Sequence, residues 1–246
     1  MRRVVVHPDA SVLAEAVAVR LLTRVLDAQA VRATVHVVLT GGTVGMATLE
    51  HAAHSVVCSA IDWTGVHLWW GDERFLPTGD PERNETQARA ALIDRLLIPP
   101  ENVHPIPAKG AEGIATPDDA AAAYAQELAA LASDGPAVPR FDVLLLGLGP
   151  DGHVASLFPG SAALGVVDRT VVGVLDSPKP PPERVSLTLP AIQSAREVWI
   201  VAAGAEKATA VHASLAGLSV SSAPAGHATG TETTLWLIDA AAAASA

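Results

Sequence analysis

The chain has 246 residues, half of them apolar and 17% charged, a balance that excludes extensive disorder and supplies a large core. Its net charge of -10 excludes general binding to nucleic acid or to anionic membrane, so an anionic ligand requires a local cluster of cations. Its one cysteine, Cys58, excludes an intrachain disulfide framework and fits a reducing compartment. No break in composition divides the chain, and one domain is expected over residues 1–246. Near the N-terminus Arg2 and Arg3 precede an apolar run that soon meets His7, Pro8 and Asp9. That run reads as neither a signal peptide nor a spanning helix, and a cytoplasmic protein is expected.

Val4 to His7 reads as a short strand, and Ala10 to Ala28 carries Val12, Leu13, Val17, Leu21, Leu22 and Val25 at helical spacing. Thr34 to Leu39 is a β-branched run that ends in Thr40-Gly41-Gly42-Thr43, followed by a helical stretch to about Cys58. Val66 to Trp70 leads into Gly71-Asp72-Glu73-Arg74, and Ile98 to Thr116, rich in proline and glycine, reads as a loop. Phe141 to Leu146 delivers a further glycine turn. Val171 to Leu175, Glu197 to Ala202 and Thr234 to Ile238 read as strands, with a helix over Ala205 to Ala216. Residues Ala240 to Ala246 read as frayed, and there is no internal repeat. Alternation of this kind predicts an α/β fold with a mainly parallel twisted sheet and helices on both faces.

Four segments end or follow expected strands, which is where open α/β sheets bind ligands. In Thr40-Gly41-Gly42-Thr43-Val44-Gly45 the glycines either aim backbone N–H groups at a phosphate or simply make a tight connection. A Walker A lysine is missing, which argues against a nucleoside triphosphate. In Asp72-Glu73-Arg74 the arginine presents a rigid fork to phosphate or closes a structural ion pair. Lys179 and Arg184 flank a loop stiffened by Pro178, Pro180, Pro181 and Pro182, and Lys207 stands where a strand turns into a helix. Taken alone, Lys179, Arg184 and Lys207 each read first as solvated surface charges.

The most informative segment is Gly147-Leu148-Gly149-Pro150-Asp151-Gly152-His153, in which a buried strand delivers an acid and a histidine on a glycine turn. Gly147, Gly149 and Gly152 satisfy the spacing of a dinucleotide fingerprint, and Asp168 lies near the distance of a ribose-binding acid. Against that reading, Pro150 removes an N–H from the turn, Asp151 sets negative charge where a pyrophosphate would lie, and Asp168 ends no clear strand. A metal reading of Asp151 and His153 finds no third ligand at ordinary spacing.

Taken together these motifs, with Phe75-Leu76-Pro77, Ala155-Ser156-Leu157-Phe158-Pro159-Gly160, Leu187-Thr188-Leu189-Pro190 and Gly204-Ala205-Glu206-Lys207-Ala208, resemble the glucosamine-6-phosphate isomerase/6-phosphogluconolactonase family over nearly the whole chain. Asp72-Glu73-Arg74 and Ala155-Ser156-Leu157-Phe158-Pro159 resemble its lactonase branch, since the deaminases typically read Asp-Glu-Tyr and Ile-Ala-Phe-Asn-Glu-Pro. Gly45 departs from the family pattern, which commonly has proline there. The resemblance implies a Rossmann-related three-layer α/β sandwich and hydrolysis of 6-phospho-D-glucono-1,5-lactone to 6-phospho-D-gluconate. It implies His153 as general base supported by Asp151, and Gly41, Gly42, Thr43, Asp72, Arg74, Lys179, Arg184 and Lys207 as the substrate and phosphate site. Backbone N–H groups of the Gly147 to Gly152 turn are expected to meet the oxyanion. No cofactor or metal is expected, because an activated ester needs only water, a base and oxyanion donors. The expected partner is a phosphosugar lactone, with neither nucleic acid nor membrane, and the expected state is a monomer or small homo-oligomer. A deaminase-like enzyme and a non-catalytic sugar-phosphate-binding module are the alternatives, with a dehydrogenase behind them.

Overall fold

The protein is described by a computed structural model over residues 1–132 and 137–244. The expected alternation opens it as β1 (Arg2–His7), α1 (Ala10–Gln29), β2 (Val35–Leu39), α2 (Thr43–His54) and β3 (Val66–Trp70). The chain continues through β4 (Asp72–Arg74), α3 (Asn84–Ala91), α4 (Pro117–Ala130), β5 (Val143–Gly147), β6 (Val171–Val174) and β7 (Arg184–Leu187). It closes with α5 (Leu189–Gln193), β8 (Glu197–Ala202), α6 (Ala208–Leu215), β9 (Thr233–Asp239) and α7 (Ala240–Ala243).

Six strands pair in parallel in the order β1-β9-β8-β5-β2-β3. β5, β8 and β9 are buried along nearly their whole length, as strands covered on both faces must be, and this explains their uninterrupted apolar runs. Edge strand β1 is largely exposed. Trp69, Trp70, Trp199 and Trp236 are all fully buried in the sheet, each contributing on the order of 4 kcal/mol of apolar burial before ordering costs.

β6 does not join this sheet. It forms a second, antiparallel sheet with β7 and β4, in the order β4-β7-β6, and α4 packs on it. Gly71 welds the two sheets together, its N–H donating to Leu39 O at 3.2 Å and its carbonyl accepting from Leu187 N at 2.9 Å. Tyr124 of α4 fixes the same corner: its hydroxyl accepts from Trp70 N–H at 3.0 Å and donates to Trp70 O at 3.1 Å.

Other departures from the expected elements are local. α2 stops at His54 and a 3-10 turn covers Val56–Ala60; another, Ala205–Lys207, precedes α6. The Ala240–Ala243 stretch is helical, not frayed, because the Asp239 carboxylate accepts the Ala242 N–H at 2.8 Å; residues 245–246 lie outside the described chain. α4 carries a capping box, the Thr116 hydroxyl accepting from Asp119 N–H while the Asp119 carboxylate accepts from Thr116 N–H.

A histidine cluster ties β2 and β3 to α4. His67 Nδ1 and His104 Nε2 are 2.9 Å apart, His104 Nδ1 meets Glu127 Oε1 at 2.6 Å, and Trp69 Nε1 donates to His36 Nδ1 at 3.2 Å. Burial, and then the charges of His67 and His104, hold His36 down at about 4. The unfolded chain therefore takes up a proton near pH 6.5 that the folded protein refuses until about pH 4, so stability falls as pH falls through that window. His36→Phe is expected to remove about 2–3 kcal/mol of this loss, read as a flatter decline of urea-unfolding free energy between pH 7 and pH 4. Parallel declines in both proteins would show that His36 is not the titrating group.

Candidate active site

Strand order reverses between β2 and β5: from β2 the chain passes outward to β3, whereas from β5 it later fills β8 and β9 on the other side. The crevice beyond the carboxyl ends of two such strands is where this architecture leaves room for a ligand. Here Gly147 N–H donates to Thr40 Oγ1 at 3.0 Å and locks the two strand ends together. A cavity of about 320 Å³ opens above them.

This cavity gathers the residues singled out in the sequence. Gly41, Gly42, Thr43, Asp72, Arg74, His153, Lys179, Arg184 and Lys207 all line it. Asp151 stands behind His153, with Oδ1 2.5 Å from Nδ1 of the ring. The His153 side chain is 12% exposed, and its ring packs on Phe158 with centroids 4.4 Å apart. Beneath the ring lies Gly149, where any Cβ would come within 2.0 Å of His153 Nδ1, so only glycine admits this pose. Burial works against ionisation of Asp151, but the hydrogen bond from His153, that ring's charge and backbone N–H groups outweigh it and hold the carboxyl at about 2. An ionised Asp151 is an acceptor only, so Nδ1 carries a proton, and in the neutral imidazole it is Nε2 that holds the lone pair.

After His153 the chain folds back in a tight turn, Leu157 N–H donating to Val154 O at 2.9 Å. Ala155, in that turn, has φ of +49°, a left-handed conformation that costs a non-glycine residue on the order of 1 kcal/mol. Ser156 beyond it donates to Asp72 Oδ2 at 2.7 Å and so ties the histidine loop to β4.

Arg74, Lys179, Arg184 and Lys207 bring four cations to this cavity, and none forms an ion pair with a carboxylate among the described residues. Burial lowers the Lys179 ammonium; the Asp151 charge pulls it back up, and Lys207 and Arg184 push it down. Arg184 opens β7 instead of riding on the proline loop, and it is buried. Its Nε donates to Pro181 O and its Nη2 to Lys179 O and Pro180 O, each at 3.2 Å, so the arginine clamps the loop that presents Lys179.

The expected oxyanion donors fare differently. Gly147 N–H is taken by Thr40, Gly149 N–H by His153 O at 2.9 Å and Gly152 N–H by Gly149 O at 3.0 Å. The turn's glycines thus spend their N–H groups on holding its own shape, which also denies a pyrophosphate the cradle that a dinucleotide fingerprint requires. Asp168 is exposed and pairs with Arg169 at 3.6 Å. Among the described residues no group of three or more His, Cys, Asp or Glu side chains converges as a metal site would.

Sequence reading names Thr40 and Phe158 only as members of their motifs, with no role of their own, and it does not mark Asn84 at all. Asn84 lines the cavity from the first turn of α3, and it follows Arg83 in a stretch whose charges mask any helical pattern.

Residues 8–236 match the family described as glucosamine-6-phosphate isomerases/6-phosphogluconolactonase. The chain is 54% identical to a 6-phosphogluconolactonase of Streptomyces coelicolor over 98% of its own length and 93% of that protein. It is 48% identical to the 6-phosphogluconolactonase of Mycobacterium tuberculosis over 97% of this chain and 96% of the relative. Among solved structures, the 6-phosphogluconolactonase of Thermotoga maritima superposes with a TM-score of 0.82 at 26% identity, covering 97% of this chain and 100% of that one. The Trypanosoma brucei 6-phosphogluconolactonase does so with a TM-score of 0.84 at 28% identity, covering 99% and 98%. A monomeric glucosamine-6-phosphate deaminase shares the fold, with a TM-score of 0.79 at 17% identity, covering 98% of each chain. By sequence, fold and the residues that meet at the ends of β2 and β5, the chain belongs to the glucosamine-6-phosphate isomerase/6-phosphogluconolactonase family.

Proposed function

We propose that the chain hydrolyses 6-phospho-D-glucono-1,5-lactone to 6-phospho-D-gluconate, the lactonase step of the oxidative pentose phosphate pathway, with His153 as general base. The observation that carries this reading is the pairing, within one cavity, of a histidine oriented by an ionised aspartate with four cations that have no carboxylate partner of their own. Names of close relatives agree with it. Such a cavity suits a substrate with a dianion at one end and an acyl centre at the other.

In the proposed reaction His153 Nε2 accepts a proton as water oxygen attacks the lactone carbonyl, giving a tetrahedral oxyanion. The intermediate collapses with cleavage of the bond between C1 and the ring oxygen, and the same Nε2 returns the proton to that oxygen. One water is consumed and the ring opens to the acid. Asp151 stays ionised throughout, fixing the Nδ1–H tautomer and stabilising the transient imidazolium. Lys179, a pocket cation that feels the Asp151 charge, is assigned to the oxyanion, since the N–H groups of Gly147, Gly149 and Gly152 are already taken. Arg74 and Lys207 take the phosphate together with the Gly41-Gly42-Thr43 backbone at the start of α2, a helix without a side-chain cap, and Arg184 adds its charge. Asp72, an acceptor, suits a sugar hydroxyl. The single-domain and cytoplasmic readings are retained as parts of the proposal; among the described residues no helix is long and apolar enough to cross a membrane.

The direct test is hydrolysis of freshly made 6-phosphoglucono-δ-lactone, read by coupled 6-phosphogluconate dehydrogenase after subtraction of the spontaneous rate. His153→Ala is expected to lower kcat by about two to four powers of ten with KM little changed, and near-normal turnover would remove His153 from the mechanism. Ammonia released from glucosamine 6-phosphate, or ligand-induced stabilisation without turnover, would instead favour the deaminase or the binding-module reading. Arg74→Ala is expected to raise KM about tenfold or more while leaving the already poor hydrolysis of unphosphorylated glucono-δ-lactone unchanged. Equal loss on both lactones would refute a phosphate role for Arg74.

A further inference from the structure

One residue that joins the cavity, β4 and the glycine loop is not used by the proposed reaction. Asn84 is the first residue of α3 and is 2% exposed. Its Nδ2 donates to Asp72 O at 2.9 Å, its Oδ1 accepts from Arg74 Nη1 at 2.8 Å, and its own N–H donates to Glu73 Oε1 at 2.7 Å. The same amide lies against the glycine loop: a Cβ on Gly41 would fall 1.9 Å from Asn84 Oδ1, so that position accepts no side chain unless Asn84 moves. Asn84 therefore touches both parts of the assigned phosphate site, the Arg74 guanidinium and the Gly41 backbone.

The guanidinium needs such a holder. Arg74 Nη1 is shared between Asn84 Oδ1 and Glu82 O, the latter at 2.7 Å, and both acceptors are neutral. A carboxylate in their place would neutralise the cation, whereas an amide oxygen and a carbonyl fix its direction and leave its full charge for an anion. The buried carboxylate of Glu73 is directed elsewhere: it accepts the backbone N–H groups of Arg74, Asn84 and Glu85 at 2.7–2.9 Å and anchors the start of α3 to β4. Asn84 is held in turn by this anchor.

We propose that Asn84 is a positioning residue for phosphate recognition, orienting Arg74 against the Gly41 loop without quenching its charge. The proposal rests on the lactonase reading for the identity of the anion.

Its test is a double-mutant cycle on the full-length chain, comparing wild type, Asn84→Ala, Arg74→Ala and the double variant. KM and kcat are measured with 6-phosphoglucono-δ-lactone, and the Kd of inorganic phosphate by calorimetry. Asn84→Ala is expected to raise KM and Kd about tenfold with kcat within about threefold, and the double variant is expected to lie within about twofold of Arg74→Ala alone. Losses that multiply in the double variant, or a fall in kcat with KM and Kd unchanged, would overturn the proposal. A wild type that binds phosphate with this coupling but opens no lactone would contradict the functional reading and leave Asn84 supported; a wild type that binds no phosphate would overturn both. Should Asn84→Ala not fold, Asn84→Ser, whose short hydroxyl lacks the amide that spans Asp72 O and Arg74, is carried through the same cycle with the same expected outcomes.

Discussion

The imidazole of His153 lies on the bare backbone of Gly149 with Asp151 behind it, and the neighbouring structure is arranged around that contact. Glycine is required at 149 because nothing larger fits under the ring. The Gly147 to Gly152 turn closes on itself through its own N–H groups, and Thr40 fixes the first of them to the end of β2. Behind the turn, Ser156 reaches Asp72 and Phe158 supports both the histidine ring and the Arg184 guanidinium, whose carbon lies 5.9 Å from the Phe158 centroid. The acid–histidine pair is thereby joined to the second sheet, which carries Arg74 and Arg184.

Charge is distributed with the same economy. A chain of net charge -10 repels anions at long range, yet four cations meet at one cavity without contact carboxylates. The two arginines among them are positioned by neutral acceptors: carbonyls of residues 179, 180 and 181 for Arg184, and Glu82 O with Asn84 Oδ1 for Arg74. Buried acids near them serve other tasks. Glu73, pushed by burial up to about 7 while Arg83 and three backbone N–H groups pull against it, holds a helix start instead of an arginine of the pocket.

Much of this was legible in the sequence for identifiable reasons. Strands buried on both faces are largely apolar, so β5, β8 and β9 stand out, and β2, β3, β5 and β8 each lead into a motif at their carboxyl ends. The second sheet did not stand out, since β4 is the charged triplet Asp72–Arg74 and β7 begins with Arg184, a buried arginine read as a loop cation. α4 was missed despite a readable signal, Thr116-Pro117-Asp118-Asp119 ahead of an alanine-rich run. Asn84 carried no comparable mark, because its importance comes from tertiary neighbours at positions 41, 72 and 74. A glycine turn likewise advertises free N–H groups, and only the fold shows that those of Gly147, Gly149 and Gly152 are already used.

The orientation of one proton tests the general-base role of His153 most directly. Nitrogen-15 NMR of the His153 ring in the uncomplexed protein, at about pH 8, reports which ring nitrogen is protonated. The account predicts a proton on Nδ1, shifted far downfield by Asp151 and lost from the spectrum of Asp151→Ala, with Nε2 bare. A ring protonated at Nε2 with Nδ1 bare would contradict it, because the atom facing the cavity would then have no lone pair with which to activate water.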